Sequence, residues 1–303
     1  MKKLPVIFIS LITSLILGIT AVVATPGNGT KAFKVTVTGT NKSGNILFIP
    51  GLGCPGEVWD ETVAVFKQAY ACHVFTLAGF AGQPALKTNT MLPVVKDQII
   101  AYIDKKQLKN VTLIGHSLGG FMSFWIAAER PDLIQKLVSV DGLPFLGGMQ
   151  NPAATSQSMQ PIAQQMKEQM LKPVSKEVAQ KNQLRTLHAM ISSDAHIKQV
   201  LQWNLKSDPK AVAQAMYELY TIDLRQKVAN IKAPTLVMGV WWGKEYGTPL
   251  EAVKKNYTQQ ITRIPQHHFL MHKSAKHFIM YDDKTWMIQK LKAFLKGQAL
   301  SNN

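Results

Sequence analysis

Residues 111–125 read VTLIGHSLGGFMSFW, an apolar run followed by a glycine-rich turn and then by a helical pattern. The run VTLI is short and partly β-branched, which predicts a buried strand, and the pattern over Leu118–Glu129 predicts a helix. Glycines stand two residues before and two residues after Ser117. They remove side chains that would clash across a sharp turn, and such a turn lifts the hydroxyl clear of the sheet. This context favours an activated nucleophile at Ser117 over the alternative, a small residue in an ordinary turn.

Outside this stretch the chain alternates short apolar runs with helical segments. Strands are predicted at 34–38, 45–50, 73–77, 111–114, 136–140, 235–239 and 268–271. Helices are predicted at 57–69, 94–105, Leu118–Glu129 and 285–295. This alternation predicts an α/β fold with a mostly parallel central sheet and helices on both faces.

The alternation is interrupted between residues 145 and 225, where no strand pattern is found. Helices are predicted there at 159–171, Lys176–Met190, Asp194–Leu205 and Pro209–Thr221. We therefore divide the chain into a first core part (25–144), a helical cap insertion (145–225) and a second core part (226–303). The cap is expected to lie over the carboxyl ends of the strands, where open α/β sheets bind their ligands. Its methionines are either core filler or a flexible apolar lining of a substrate pocket.

The N-terminus has the pattern of a secretory signal peptide over residues 1–24. Lys2 and Lys3 precede a nearly continuous apolar run at 4–23, and small residues at 22 and 24 suit a cleavage site. The alternative is an uncleaved signal anchor, because the run is close to the length of a membrane span. No second long apolar segment follows, so no stable membrane span is expected after cleavage. The sequence predicts export to the periplasm or the medium.

Composition narrows the classes of partner. The hydrophobic fraction of 46% and the charged fraction of 17% suit a globular domain with a sizeable core. The net charge of +16 is spread along the 303 residues as single lysines and lysine pairs, without the dense block of a nucleic-acid-binding arm. We expect no nucleic-acid partner. A basic surface of this kind attracts anionic membranes and polyanions.

The two cysteines are predicted to be free thiols. Cys54 follows one strand at its carboxyl end, whereas Cys72 begins the next strand of a parallel sheet. Such positions lie about 15–20 Å apart. A disulfide requires Cα atoms within about 7 Å.

With its strand before and helix after, the turn at 115–119 resembles the nucleophile elbow of the α/β-hydrolase family, and the resemblance covers nearly all of the chain after residue 24. The loop at 49–53, IPGLG, resembles the family's oxyanion loop, with Pro50 in place of the usual His. The resemblance implies an oxyanion hole formed by the backbone N–H groups of Leu52 and Leu118. It also implies a catalytic base late in the chain. His277, in the loop KHFIM, is expected to be that base, and His272 is the alternative.

The third member of the implied catalytic triad is where the sequence departs from the family. Its acid commonly follows the strand that corresponds to TLVMG, but Trp242 stands at that position. Asp141, at the end of the strand KLVSV, is the expected substitute because a short side chain on a strand end is well oriented. Glu245, three residues after Trp242, is the alternative acid, and a site without a strong acid is the third possibility.

A serine nucleophile predicts acyl transfer through an acyl-enzyme. We therefore expect an exported serine hydrolase that acts on carboxylic esters, with no cofactor and no metal, and with a small, apolar acyl substrate. Amides, lactones and C–C bonds are cleaved by the same machinery, and the rival class is a non-catalytic ligand-binding protein on this scaffold. His116, Trp241 and Trp242 are candidates for the substrate pocket, although the two Trp residues suit a core role as well. The sequence leaves the oligomeric state open.

Overall fold

The structure is a computed structural model that describes residues 31–149, 151–241, 243–244 and 247–300. The predicted signal peptide lies outside the described residues. So do Trp242 and Glu245, two residues of the predicted site.

A seven-stranded sheet forms the centre of the fold, in the order β1-β3-β2-β4-β5-β6-β7. The strands are β1 (Phe33–Gly39), β2 (Asn45–Ile49), β3 (Ala71–Leu77), β4 (Val111–His116), β5 (Ile134–Val140), β6 (Thr235–Val240) and β7 (His267–His272). Only the edge strand β1 runs antiparallel to its neighbour, β3, and every other pairing is parallel. Strands β2, β4 and β6 are buried along their whole length because helices cover both faces of the sheet.

Two sets of core helices cover the faces. One face carries α2 (Leu92–Lys105), α3 (Leu118–Glu129) and α8 (Leu250–Ile261), and the other carries α1 (Asp60–Phe66), α9 (Ile279–Asp282) and α10 (Lys284–Leu295). The predicted α/β fold with a mostly parallel sheet is thus confirmed. The residue ranges that the sequence assigned to core and cap stay a prediction.

Four helices lie between β5 and β6, namely α4 (Ser156–Met170), α5 (Lys176–Met190), α6 (Asp194–Leu205) and α7 (Pro209–Thr221). Helix α4 packs against α7, and α5 packs against α6. The Ser207 hydroxyl, between α6 and α7, accepts a hydrogen bond from the N–H of Ala81 at 2.8 Å. Since Ala81 lies in the loop after β3, these helices meet the carboxyl-end edge of the sheet.

A second contact joins this insertion to the core. The buried carboxylate of Glu218 on α7 accepts hydrogen bonds from the backbone N–H groups of Met91 and Leu92, at 2.8 and 2.6 Å. These N–H groups stand at the start of α2, where a helix has donors without intrahelical acceptors. A carboxylate there is also favoured by the positive end of the helix dipole.

The structure differs locally from the sequence-based expectations. Helix α8 was not predicted, although Val253, Tyr257 and Ile261 are spaced four residues apart and form its buried side. The first predicted helix is divided into a 3-10 turn at Gly56–Trp59 followed by α1. Strand β4 continues two residues further than predicted and includes His116.

Both cysteines are free, as predicted, and both are buried. Cys72 is the second residue of β3 in its pairing with β2, opposite Ile46, whereas Cys54 lies in the loop beyond the other end of β2. Burial raises the pKa of the Cys54 thiol to about 12 and that of Cys72 to about 11. Across the described residues, none of the helices combines the length and apolar character that crossing a membrane requires.

Candidate active site

Ser117 occupies a strained turn between the last residue of β4 and the first residue of α3. Its φ of 53° and ψ of −115° lie outside the regions that residues with a side chain readily adopt. The flanking glycines are required by close packing. A Cβ atom on Gly115 would lie 2.0 Å from the carbonyl oxygen of Gly119, and one on Gly119 would lie 2.1 Å from that of Ile49. A larger residue at either position would clash with the backbone, so this turn can form only where the sequence has glycine at both.

The loop after β2 lies against this turn. A Cβ atom on Gly51 would be 3.4 Å from the Cβ of Ser117, so Gly51 faces the Ser117 side chain. Leu118 opens α3, and the N–H groups of a first helical turn have no intrahelical acceptor. Among the described residues, neither the Leu118 N–H nor the Leu52 N–H donates a hydrogen bond. Both are therefore available to an oxyanion beside Ser117, and their role in an oxyanion hole stays a prediction.

Asp141 and His277 are brought together although they are far apart in sequence. His277 lies in the loop before α9, and its Nδ1 is 2.5 Å from Oδ2 of Asp141. The Asp141 side chain is only 5% exposed, whereas that of His277 is 23% exposed. A carboxylate at Nδ1 fixes the proton on that nitrogen and leaves Nε2 free to accept one. This is the arrangement that a general base requires.

The other oxygen of Asp141 is also held by hydrogen bonds. The phenol of Tyr257 on α8 donates to Oδ1, and the backbone N–H of Val240 donates to the same atom at 3.3 Å. The Asp141 N–H in turn donates to the Met238 carbonyl at 2.7 Å, which ties the residue to β6. Burial, together with the negative charge of Asp141, raises the pKa of Tyr257 well above its usual value, so the phenol stays a donor. Tyr257 was missed in the sequence because α8 was missed.

His116 lies beneath the His277 loop, and its expected place in the substrate pocket stays a prediction. Its side chain is fully buried because β4 continues through this residue and directs it into the core. The Nε2–H donates to the carbonyl oxygen of His277 at 3.1 Å, and the two rings lie 4.7 Å apart. Burial, with His277 nearby, holds the pKa of His116 well below its usual value, so the ring is neutral.

Ser117 and His277 are linked through His116 and are not hydrogen-bonded to each other in the described part of the chain. His116, the residue before Ser117, contacts the His277 ring directly. Hydrogen bonds between a nucleophile and its base are often long until substrate binds.

His272, the alternative base, is engaged elsewhere. Its Nε2 lies 3.1 Å from a carboxylate oxygen of Asp283, and its Nδ1 accepts the N–H groups of Ser274 and Ala275 at 3.2 and 2.8 Å. Both ring nitrogens therefore hold the turn after β7. The structure brings His277, not His272, to Asp141.

Trp241 follows β6 and packs against the core. Its indole N–H donates to the carbonyl of Thr248 at 2.8 Å, and the ammonium of Lys244 lies 5.3 Å from its ring. These contacts close the loop after β6, and a pocket role for Trp241 stays a prediction. The described residues contain no group of three or more His, Cys, Asp or Glu side chains suited to hold a metal ion.

The chain is similar to proteins of known family and fold. The family profile described as alpha/beta hydrolase fold matches residues 44–289. The pimeloyl-[acyl-carrier protein] methyl ester esterase of Aliivibrio fischeri (strain MJ11) is 26% identical over 268 residues, which cover 84% of this chain and 95% of that protein. The enzyme of the same name from Vibrio atlanticus (strain LGP32) is 25% identical over 197 residues, covering 63% and 73%.

Solved structures agree with this similarity at the level of fold. MenH from S. aureus superposes with a TM-score of 0.72 at 17% identity, covering 88% of this chain and 98% of that one. The enol-lactonase from Burkholderia xenovorans LB400 superposes with a TM-score of 0.70 at 15% identity, covering 87% and 96%.

Proposed function

Because the chain belongs to the α/β hydrolase fold family, we propose that it hydrolyses carboxylic esters through an acyl-enzyme on Ser117. The contact between Asp141 and His277, beside the strained turn at Ser117, is the observation that carries this proposal. In this role Ser117 is the nucleophile, His277 the general base and acid, and Asp141 the group that orients His277.

In the acylation step, Nε2 of His277 accepts the Ser117 proton while Oγ attacks the ester carbon. The carbonyl electron pair moves onto oxygen, where the N–H groups of Leu52 and Leu118 stabilise the developing charge. The C–O bond to the alcohol then breaks, and His277 returns its proton to the departing oxygen. Asp141 stabilises the transient imidazolium without taking the proton itself.

Deacylation repeats these steps with water. His277 removes a proton from water, the hydroxide attacks the acyl carbon, and the Ser117 oxygen leaves with the proton that His277 gives back. The products are a carboxylic acid and the free, restored serine. All atoms that take part in these steps come from the chain, the ester and water.

A small ester with an apolar acyl group is the proposed substrate. The curated relatives are methyl ester esterases of a pimeloyl group on a carrier protein, which supports an ester at the end of an acyl chain. The lactonase of similar fold makes a cyclic ester a second class to assay. A non-catalytic binding role drew its support from the missing acid at position 242, and the contact of Asp141 with His277 removes that support.

Hydrolysis of p-nitrophenyl butyrate and labelling by a fluorophosphonate probe test the proposal. Ser117→Ala is expected to abolish labelling and to lower kcat by about 10³-fold or more. Ser43→Ala, in the turn between β1 and β2, is the matched control and should change neither. Asp141→Asn should lower kcat about 10³–10⁴-fold while Glu245→Gln stays near wild type. Equal labelling of wild type and Ser117→Ala would refute the serine mechanism, and loss of rate only in Glu245→Gln would move the acid to that residue.

We also propose that the chain is exported, on the strength of the basic and apolar pattern at residues 1–24. Amino-terminal sequencing of the protein recovered from a periplasmic extract should begin at Thr25. Recovery of the intact chain with the cytoplasmic fraction would contradict export.

A further inference from the structure

The turn between α4 and α5 projects from the packed helices of the insertion. Every residue from 168 to 178 is exposed, and we call this segment the cap tip. Helix α4 packs on α7 through its inner side, with Ala163 buried there, but the end of α4 and the start of α5 extend beyond this contact. The cap tip is therefore a part of the insertion that no other described element covers.

The cap tip concentrates apolar side chains at the surface. Six large hydrophobic side chains are exposed in the described part of the chain, and four of them lie in the cap tip: Met170, Leu171, Val174 and Val178. Ile162, a fifth, lies two turns earlier on α4. Single exposed hydrophobic residues are ordinary, whereas a cluster at one projection marks an interaction surface.

Positive charge surrounds the cluster. Over α4, α5 and the turn between them, four lysines and Arg185 stand against two glutamates, Glu168 and Glu177. Lys172 and Lys176 lie within the cap tip, and neither takes part in an ion pair with the described residues. Lysine side chains bury their apolar stems beside hydrophobic surface while the ammonium reaches outward.

A projection with apolar residues at its end and lysines around them matches an anionic bilayer. Apolar side chains enter the boundary between headgroups and acyl chains, and lysines bind the headgroup phosphates. The net charge of +16 adds a long-range attraction to the same surface. A second copy fits less well, because a symmetric contact through the cap tip would oppose Lys172 and Lys176 to their own counterparts.

We propose that the cap tip docks the protein on an anionic phospholipid bilayer, with Leu171 and Val174 inserted into the interface and Lys172 and Lys176 on the headgroups. Docking concerns where the protein sits, so it does not depend on the role of Ser117.

A fluorescent probe at the cap tip tests this directly in the full chain. Val174→Cys and the control Val37→Cys, an equally exposed position on the edge strand β1, are labelled with the environment-sensitive dye NBD. Cys54 and Cys72 are buried and do not compete for the dye in the folded protein. With vesicles of phosphatidylglycerol and phosphatidylcholine, the dye at 174 should shift to the blue and brighten several-fold, while the dye at 37 should not.

The charge requirement is tested in the same assay. Vesicles of phosphatidylcholine alone, or about 1 M salt, should weaken the change at 174 strongly because screening removes the headgroup attraction. Lys172→Gln combined with Lys176→Gln should raise the lipid concentration for half-maximal change about tenfold. Hydrolysis of a soluble short ester should be unaffected by these substitutions.

Several outcomes overturn the proposal. One is that the dye fluorescence at 174 does not change on adding vesicles, and another is that it changes equally at 174 and 37. A change without vesicles that grows with protein concentration assigns the cap tip to a second copy. If the dye is already shifted in the full chain and reverts in a chain that begins at Thr25, the N-terminal apolar segment covers the surface. If soluble polyglutamate changes the fluorescence at 174 as much as vesicles do, the partner of the cap tip is an acidic protein.

Discussion

Tyr257 and His277 bind opposite oxygens of the same carboxylate, that of Asp141. The phenol and the imidazole come from α8 and from the loop before α9, and the carboxylate lies at the end of β5. Each donor restricts rotation of the carboxylate, so the orientation of His277 depends on a residue that does not touch it.

Tyr257→Phe is expected to lower kcat/KM about tenfold, which corresponds to roughly 1.4 kcal/mol for one hydrogen bond to a charged group. The phenyl ring keeps its stacking on Phe269, whose centroid lies 5.1 Å away, so the core changes little. Tyr102→Phe is the control, because its hydroxyl binds His73 far from the site. Steady-state ester hydrolysis distinguishes the two, and an equal loss in both variants would contradict a specific role for Tyr257.

His116 is expected to act as a positioning residue through its hydrogen bond to the His277 carbonyl. His116→Leu removes the donor at similar volume and should lower kcat about tenfold with little change in KM, the effect of roughly 1.4 kcal/mol. His116→Gln offers an N–H at similar reach and should recover most of that loss. If thermal stability falls in both variants while kcat remains at the wild-type value, His116 serves the fold alone.

The turn at Ser117 should not tolerate a methyl group at Gly119. The Cβ of Gly119→Ala would meet the backbone of Ile49 and Pro50, at 2.1 and 2.8 Å, which cannot move without displacing β2. We expect a loss of more than about 3 kcal/mol in unfolding free energy. Gly82→Ala has open space and only an unfavourable φ, and should lose about 1 kcal/mol. Urea unfolding measures both, and equal losses would mean that packing at the turn is unimportant.

Asp282 links the cap to the His277 loop. Its carboxylate accepts the N–H and hydroxyl of Ser192, both at 2.9 Å, and the N–H of Lys276 at 2.8 Å. In Asp282→Asn, the amide NH₂ group would face one of these three donors, and that hydrogen bond would be lost. The His277 loop should then be held less firmly, and kcat/KM should fall about tenfold, which corresponds to roughly 1.4 kcal/mol. Cleavage by a protease at the link between α5 and α6 should also become faster. Asp132→Asn, at an exposed ion pair with Arg130, is the control and should change neither rate.

Acid should destabilise the protein through His73. Its Nδ1 accepts from Tyr102 at 2.8 Å and its Nε2 donates to Asn45 at 3.1 Å, a pairing that only the neutral ring makes. Burial and the charge of Lys106 lower the pKa of His73 to about 4 from an unfolded value of 6.5. The unfolded chain therefore binds the extra proton first, and stability present above pH 6.5 is lost as the pH falls toward 4, by up to about 3 kcal/mol.

Urea unfolding at several pH values measures this slope. His73→Gln should flatten the dependence between pH 6.5 and 4. A slope unchanged in that variant would mean that other groups carry the acid sensitivity.

The strands and most helices could be predicted because their signals are local. Helices α5, α6 and α7 begin after Ser175, Ser193 and Asp208, and their bounds agree with the sequence-based ones. Each of these side chains accepts a hydrogen bond from the N–H of the third helical residue, which has no intrahelical acceptor. Helix α8 was missed because LEAVKKNYTQQI is largely polar and two of its five buried residues, Asn256 and Gln260, are polar themselves. The hydrogen bond of Tyr257 to Asp141 could therefore not be predicted from local sequence patterns.

In the site, too, some features have local sequence signals and others depend on the fold. Ser117, His277 and Asp141 carry recognisable local patterns, and the structure brings the last two into contact. Whether His116 faces a pocket or the core depends on where β4 ends, since side chains alternate along a strand. The sequence placed that end at Ile114, two residues early, so the burial of His116 within β4 was not predicted.

The buried carboxylate of Glu218 has a consequence for engineering. Replacing the four-helix segment with that of another protein of the same fold would remove Glu218. The N–H groups of Met91 and Leu92 would then have no acceptor, unless the other protein has an acidic residue at the same place. Each buried donor left unpaired costs about 1–3 kcal/mol. A chimaera should therefore be cut so that Glu218 and the start of α2 come from the same parent.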